Sequence, residues 1–433
     1  MEIMMDFSIL LLCLFFFCGV SAATPAFPAY SNAYLSQLQQ GTPTKAFLST
    51  TLGSNMVLQR APQQAVVWGF ADAGTKVTTI MDGGAKTMEA TADSNGVWRQ
   101  KLPATAASST AHEFTFKSSD GQSAAMSNVL FGDVYLCGGQ SNMQFAMPAI
   151  ANSSTEIEAA NKYPDIRLFT VGQKTSSRTP LDDLQTTEEL WSVANSTTVA
   201  GRGGFGYFSA VCWIFGRQVY DDLNGAVPIG LINNNWGGTP VESWTTPATL
   251  AACNLTTVDS TLYNAMIHPY VVGPMALTGF TWYQGEANVD ERRGDEGAVR
   301  YSCTFPGMIS QWRQAFQAPE AYFGFVQLST WCGNGELIAE MRTIGQMAAL
   351  TLPKVGYATN ADHGAGCNIH PPPKQYCATR LANSALALQY NKPTAWKSPS
   401  FASQKCNSPA VGSVTVTLQD VGGNGLRDDQ YAP

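Results

Sequence analysis

The sequence predicts an α/β protein: a parallel sheet with helices on both faces, preceded by a small β-sandwich-like module. Three observations carry this. From about Ser127, apolar strand-like runs alternate with helical stretches, the pattern of a parallel sheet covered on both sides. Between Ala46 and Met126 the runs are short, alternating and separated by turn signals, with no segment of helical length. Finally, polar or glycine-rich stretches follow directly on several apolar runs, where open parallel sheets build their ligand sites.

In the module, residues 65–70 (AVVWGF), 76–81 (KVTTIM) and 114–117 (FTFK) read as strands, and Asp82-Gly83, Asn95-Gly96 and Asp120-Gly121 as turns. In the larger part, residues 133–137, 226–233, 279–283 and 321–327 read as strands. Residues 212–223 and 337–349 read as helices. The expected organisation is a signal peptide over 1–23, an exposed leader over 24–45, the module over 46–126, the α/β domain over 127–390 and a β-containing region over 391–433.

Composition narrows the class. Of 433 residues, 45% are hydrophobic and 13% charged, which excludes disordered and fibrous chains. The formal net charge of −7, without basic runs, argues against a nucleic-acid surface. Residues 7–20 are strongly apolar but shorter than the ~20 residues that span a bilayer. Small residues follow at Ser21-Ala22-Ala23, so the segment reads as a cleaved signal peptide, with no membrane association afterwards. Ten cysteines suit that route. Cys137 and Cys212 lie in apolar runs and read as buried thiols. Cys253, Cys303, Cys332, Cys367, Cys377 and Cys406 lie in polar contexts and could form up to three disulfides. Asn152, Asn195 and Asn254 head glycosylation acceptor sequences. No C-x-x-C or H-x-x-x-H spacing offers a metal site.

The chemistry gathers around Gly138-Gly139-Gln140-Ser141-Asn142. A serine just past a buried strand, where small residues permit a sharp turn, is where a nucleophilic hydroxyl can be exposed. It needs a general base, and the chain holds four histidines. His112 falls in the module and reads as a surface residue, and His268 sits in an apolar stretch and reads as core. His363 and His370 share one loop, and His370 precedes three prolines that would fix its backbone. Gly237-Gly238 could bring backbone N–H groups close to a developing oxyanion, and Gln284, Glu286 and Asn288 supply side chains at another strand end.

Six stretches together resemble the sialate O-acetylesterase family of SGNH-type serine hydrolases. They are residues 55–60 (NMVLQR), 132–143 (GDVYLCGGQSNM), 208–213 (FSAVCW), 230–244 (GLINNNWGGTPVESW), 282–288 (WYQGEAN) and 369–375 (IHPPPKQ). The resemblance implies a flavodoxin-like three-layer α/β/α core. It implies Ser141 as nucleophile and His370 as base, with Gly237, Gly238 and Gln284 at the oxyanion beside the Ser141 N–H. Gln140, Asn142, Glu286 and Asn288 would support the loops or touch substrate. In the wider group an acid often stands three residues before the histidine. Here that position is Cys367, which leaves either Asp362 or a backbone carbonyl to orient His370. Similar proteins carry a further β-rich region, so 391–433 is expected to be part of one.

The activity implied is hydrolysis of O-acetyl esters of sialic acid or related sugars, without cofactor, by a secreted protein or one in the lumen of the secretory or lysosomal pathway. Activity on another acetylated glycan such as acetylxylan, or a carbohydrate-binding relative without turnover, are the alternatives.

Overall fold

The computed structural model describes residues 2–6, 45–201, 206–256, 260–289, 296–333, 335–408 and 413–421. Most of the signal peptide and leader lie outside these residues, as do residues 422–433. Two compact units emerge: residues 39–396, and residues 1–38 with 397–433. In the smaller unit, Glu2–Asp6, Ser413–Gln419 and Ser400–Ser408 form an antiparallel three-stranded sheet in that order.

The larger unit is organised by one strand, Ser123–Gly139. Its first half alternates in burial and pairs antiparallel with Ser108–Ser118 of the module. From Val129 onward every residue is buried, and this half pairs in parallel with Ile229–Asn235 and Gly279–Tyr283 on either side. The change follows from environment. An antiparallel strand with one wet face alternates, whereas a parallel strand under helices on both faces is apolar throughout. The module and the α/β core therefore share a strand and lie in one compact unit. A second, two-stranded sheet of the module, Val66–Phe70 with Val97–Lys101, faces the first, with Trp98 packed 5.6 Å from Phe116.

Taking Ser123–Gly139, Ile229–Asn235, Gly279–Tyr283, Tyr322–Gln327 and Val355–Thr359 as strands one to five, their spatial order is 2-1-3-4-5. That is the flavodoxin-like order, with its switch point beside strand one. Ile166–Val171 extends the parallel sheet beyond Ile229–Asn235, and Thr187–Val193 closes that edge antiparallel.

Helices cover both faces. Ala210–Asp222, capped by the Ser209 side chain, packs on Gln375–Leu388. Tyr322 turns to the latter helix, its hydroxyl bonded to Leu381 O and Ser384 Oγ. The next residue, Phe323, turns to the opposite side, as strand alternation requires. There the helix Glu296–Ala315 supplies Phe305 and Trp312, which with Phe280, Trp282 and Phe323 form one aromatic cluster. Midway along strand one the buried Asp133 carboxylate accepts from Arg60 at 2.8 and 3.0 Å and from Tyr390 at 2.8 Å, so this buried charge is paired.

The cysteines correct one expectation. Cys137 and Cys212 are not free thiols: they form a fully buried disulfide that joins strand one to the helix Ala210–Asp222. Two further bridges, Cys253–Cys303 and Cys332–Cys367, come from the polar set. Cys377 and Cys406 are free.

Candidate active site

Strand one ends in a turn whose backbone only glycine can follow. Gly139 has a φ of +142°, and a Cβ there would lie 2.2 Å from the Tyr283 carbonyl oxygen. The approach lets Gln140 N–H bond that same carbonyl at 3.0 Å. The chain then enters the single helical turn Ser141–Gln144, so the Ser141 N–H heads a helix with no earlier carbonyl to take it. Ser141 is half-buried and lies just past strand one, at the carboxyl edge of the sheet.

His370 reaches the same point from the loop after strand five. Its Nε2 stands 2.8 Å from Ser141 Oγ. The loop is fastened several times. His370 N–H donates to Asn368 Oδ1 at 2.9 Å, and Trp331 Nε1 donates to the Cys367 carbonyl at 3.1 Å. Cys367 itself is bridged to Cys332. Asn142 Nδ2 donates to the Ile369 carbonyl at 2.9 Å. The imidazole also stacks on Phe145, with centroids 6.2 Å apart. Burial first, and the Lys374 charge second, push the pKa of His370 down to about 4, so the ring is neutral at pH 7 and able to accept a proton.

The structure brings Gly237 to Ser141. A Cβ added at Gly237 would stand 3.3 Å from Ser141 Cβ. Its N–H donates at 2.7 Å to Gln144 Oε1, an amide oxygen where a substrate carbonyl oxygen could bond instead. Gly238 is exposed with a φ of +74°.

Gln284 and Asp362 are placed differently from the expectation. Gln284 is wholly buried. Its Nε2 serves Asn288 Oδ1 at 2.7 Å and both Gln140 Oε1 and Thr239 O at 3.2 Å, and its Oε1 accepts from Tyr301 at 2.9 Å. These bonds use its donors beneath the site. Asp362 is exposed; Arg380 clasps it with two 2.7 Å bonds, and His363 Nδ1 lies 3.0 Å away. Burial alone would raise this carboxyl, but Arg380 and His363 hold it down to about 2.

The remaining residues form the frame. Gln140 Oε1 accepts from Ala287 N–H at 3.0 Å, tying the Gly285–Asn288 turn to the Ser141 turn. Asn288 accepts from Val241 N–H at 3.0 Å and donates to Glu242 Oε2 at 2.8 Å. Asn142 donates to Glu286 Oε1. Burial raises the Glu286 carboxyl. Lys374 and Gln144 escaped the sequence reading: each was within a quoted motif or directly after one, but nothing local marks a lysine as buried. His268 bonds the Leu181 carbonyl at 2.9 Å and His112 bonds Asp82 at 2.9 Å, so both are occupied away from the serine. Among the described residues no group of three or more His, Cys, Asp or Glu could hold a metal ion, and no helix is long and apolar enough to cross a membrane.

A flavodoxin-like sheet with a serine at its switch point and a histidine from a late loop defines an SGNH-type α/β hydrolase. Comparison with known proteins narrows this. Residues 131–370 match the family described as carbohydrate esterase, sialic acid-specific acetylesterase. The chain is 33% identical to sialate O-acetylesterase of Homo sapiens, over 79% of this chain and 70% of that one, and 32% identical to that of Mus musculus, over 78% and 72%. A crystal structure of a carbohydrate acetylesterase from Xanthomonas citri superposes with a TM-score of 0.74 at 30% identity, covering 87% of this chain and 82% of that one. The chain belongs to the sialic acid-specific acetylesterase family of carbohydrate esterases, and it is a carboxylic ester hydrolase.

Proposed function

We propose that this protein removes O-acetyl groups from sialic acid or a related acetylated sugar through Ser141 and His370. The 2.8 Å approach of His370 Nε2 to Ser141 Oγ carries the reading. Ser141 Oγ attacks the acetyl carbonyl carbon while His370 Nε2 takes the hydroxyl proton. The carbonyl oxygen becomes an oxyanion held by the N–H groups of Ser141 and Gly237, the second released as Gln144 Oε1 gives way. Collapse breaks the bond to the sugar oxygen, which leaves with the proton from His370. Water, giving its proton to His370, then attacks the acetyl-serine carbonyl carbon; the bond to Ser141 Oγ breaks, Oγ takes the proton back from His370, and acetate departs.

Asp362 is engaged by Arg380, which favours an imidazole oriented by its loop over one oriented by that carboxylate. Gln284, Gln140 and Asn288 act as the frame beneath the turn, and Gly238 shapes the loop that carries the Gly237 donor. Three disulfides, together with the apolar N-terminal segment of the sequence, support a secreted or lumenal protein.

The sugar follows from the relatives named for sialate. Acetate release from O-acetylated sialic acid and from acetylxylan, measured with Ser141→Ala and His370→Ala beside the wild type, tests both parts. Turnover on acetylated sialic acid should exceed that on acetylxylan and fall at least ~10³-fold in each variant. Undiminished hydrolysis in either variant removes the mechanism, and preference for acetylxylan removes the substrate.

A further inference from the structure

Lys374 lies wholly buried behind the catalytic pair. An ammonium group at such a place is costly unless it is well bonded, and a core that needed only packing would carry an apolar side chain there. Lys374 Nζ donates to Asn142 Oδ1, 4.8 Å from the Phe145 ring centroid and 5.5 Å from that of Tyr283. Asn142 directly follows Ser141, and its Nδ2 serves Glu286 Oε1 and the carbonyl of Ile369, the residue before His370. Phe145, beneath whose ring the ammonium sits, stacks on the His370 imidazole. One buried cation thus touches the nucleophile turn through a hydrogen bond and the base through a shared aromatic ring.

We propose that Lys374 is a positioning residue of this esterase, which through Asn142 and Phe145 holds the His370 loop in register with the Ser141 turn. The role rests on the Ser141–His370 chemistry above. It takes over part of what an orienting acid does in related hydrolases, at a site where Asp362 is committed to Arg380. The charge has a second effect. Lys374 is drawn down to about 8 by burial, against the pull of Cys377 and Glu286, and is therefore still mostly protonated at pH 7. A cation here opposes formation of the imidazolium, and Lys374 is the charge that acts on His370 after burial itself. The other titratable or charged groups around the loop are Glu286, joined through Asn142, Cys377 on the following helix, and the cluster of Asp362, His363 and Arg380 at the far end of the loop.

Only four histidines occur in the chain, so each can be followed by NMR in protein labelled at histidine. In Lys374→Met the His370 titration should move up by about 0.5–1 pH unit, with the other three unmoved, because a nearby positive charge has been removed. The acid limb of kcat should move the same way. kcat should fall about tenfold with KM within about twofold, the signature of lost positioning. Lys374→Arg keeps the charge and should keep the wild-type His370 titration. Lys374→Gln is neutral but can still bond Asn142, so it separates charge from hydrogen bond and also serves if the Met variant does not fold. Neutral variants that leave both the His370 titration and kcat at wild-type values overturn the assignment. Full hydrolysis by Ser141→Ala would instead remove the underlying mechanism, while the NMR titration would still report whether Lys374 acts on His370.

Discussion

The bridge between Cys332 and Cys367 fixes the loop that delivers His370, three residues before that histidine, and its removal has a calculable cost. The two cysteines are 35 residues apart in sequence, and both are exposed. Replacing both by serine therefore opens no core cavity and acts mainly by freeing the unfolded chain. A loop of this length corresponds to about 4 kcal/mol in the chain-entropy account. Part of the fastening survives in the folded state: Trp331 to the Cys367 carbonyl, Asn368 to the His370 N–H, and Asn142 to the Ile369 carbonyl. The loop should therefore stay docked but loosen, and kcat should fall about tenfold through misplacement of the imidazole. Urea unfolding followed by tryptophan fluorescence gives the stability, and initial rates of acetate release at saturating substrate give kcat. A double variant with both unfolding midpoint and kcat unchanged would refute the view that the bridge positions the base. Mild reduction offers the same test in the unaltered protein: dithiothreitol should open the exposed bridge before the buried Cys137–Cys212 bridge, with activity falling as the first opens.

Two further predictions concern the site. Because His370 is held near 4 against 6.5 for a free imidazole, the rate should stay on its plateau down to about pH 5 and fall only near pH 4. A pH–kcat/KM profile with its acid limb near 6.5 would contradict this. The same depressed pKa affects stability. The unfolded chain takes up this proton near 6.5 and the folded one near 4, so the contribution to stability is present above 6.5 and is lost as pH falls towards 4. Gly139→Ala should destabilise the fold by at least about 3 kcal/mol, since a Cβ 2.2 Å from a backbone oxygen cannot be relieved by a side-chain shift and the φ of +142° is hostile to alanine. A soluble variant with a wild-type unfolding midpoint would show that the turn adapts.

How much of this was legible in the sequence depended on what each residue type reveals locally. The parallel sheet could be read from runs such as residues 279–283, because a strand buried on both faces is apolar throughout. Ile166–Val171 is the same kind of strand, yet Arg167 interrupts it, so it does not stand out as an apolar run. The helix Glu296–Ala315 was hidden by Pro306 in its interior. Ser141 and His370 stand out in the sequence because a serine after a buried strand and a histidine before a proline run are locally distinctive, and the fold brings the two within 2.8 Å. Gln284 shows the limit: an amide one residue past a strand reads the same whether it points at the nucleophile or lies beneath it. Asp362 was chosen for nearness in sequence, and only the fold reveals that Arg380, on the following helix, takes its carboxylate. Lysine is almost never fully buried, so nothing in the run after His370 marks Lys374 as an interior cation. The Cys137–Cys212 bridge was obscured by its apolar surroundings, which a buried thiol would share.

Covalent labelling tests directly whether Ser141 is the nucleophile. The purified protein is treated with a fluorophosphonate, digested and mapped by mass spectrometry while acetate release is followed in parallel. A single adduct is expected on the peptide that carries Ser141, appearing in step with loss of hydrolysis and forming far more slowly in His370→Ala. Loss of activity with Ser141 unmodified, or an adduct on another serine that tracks that loss, would contradict Ser141 as the nucleophile.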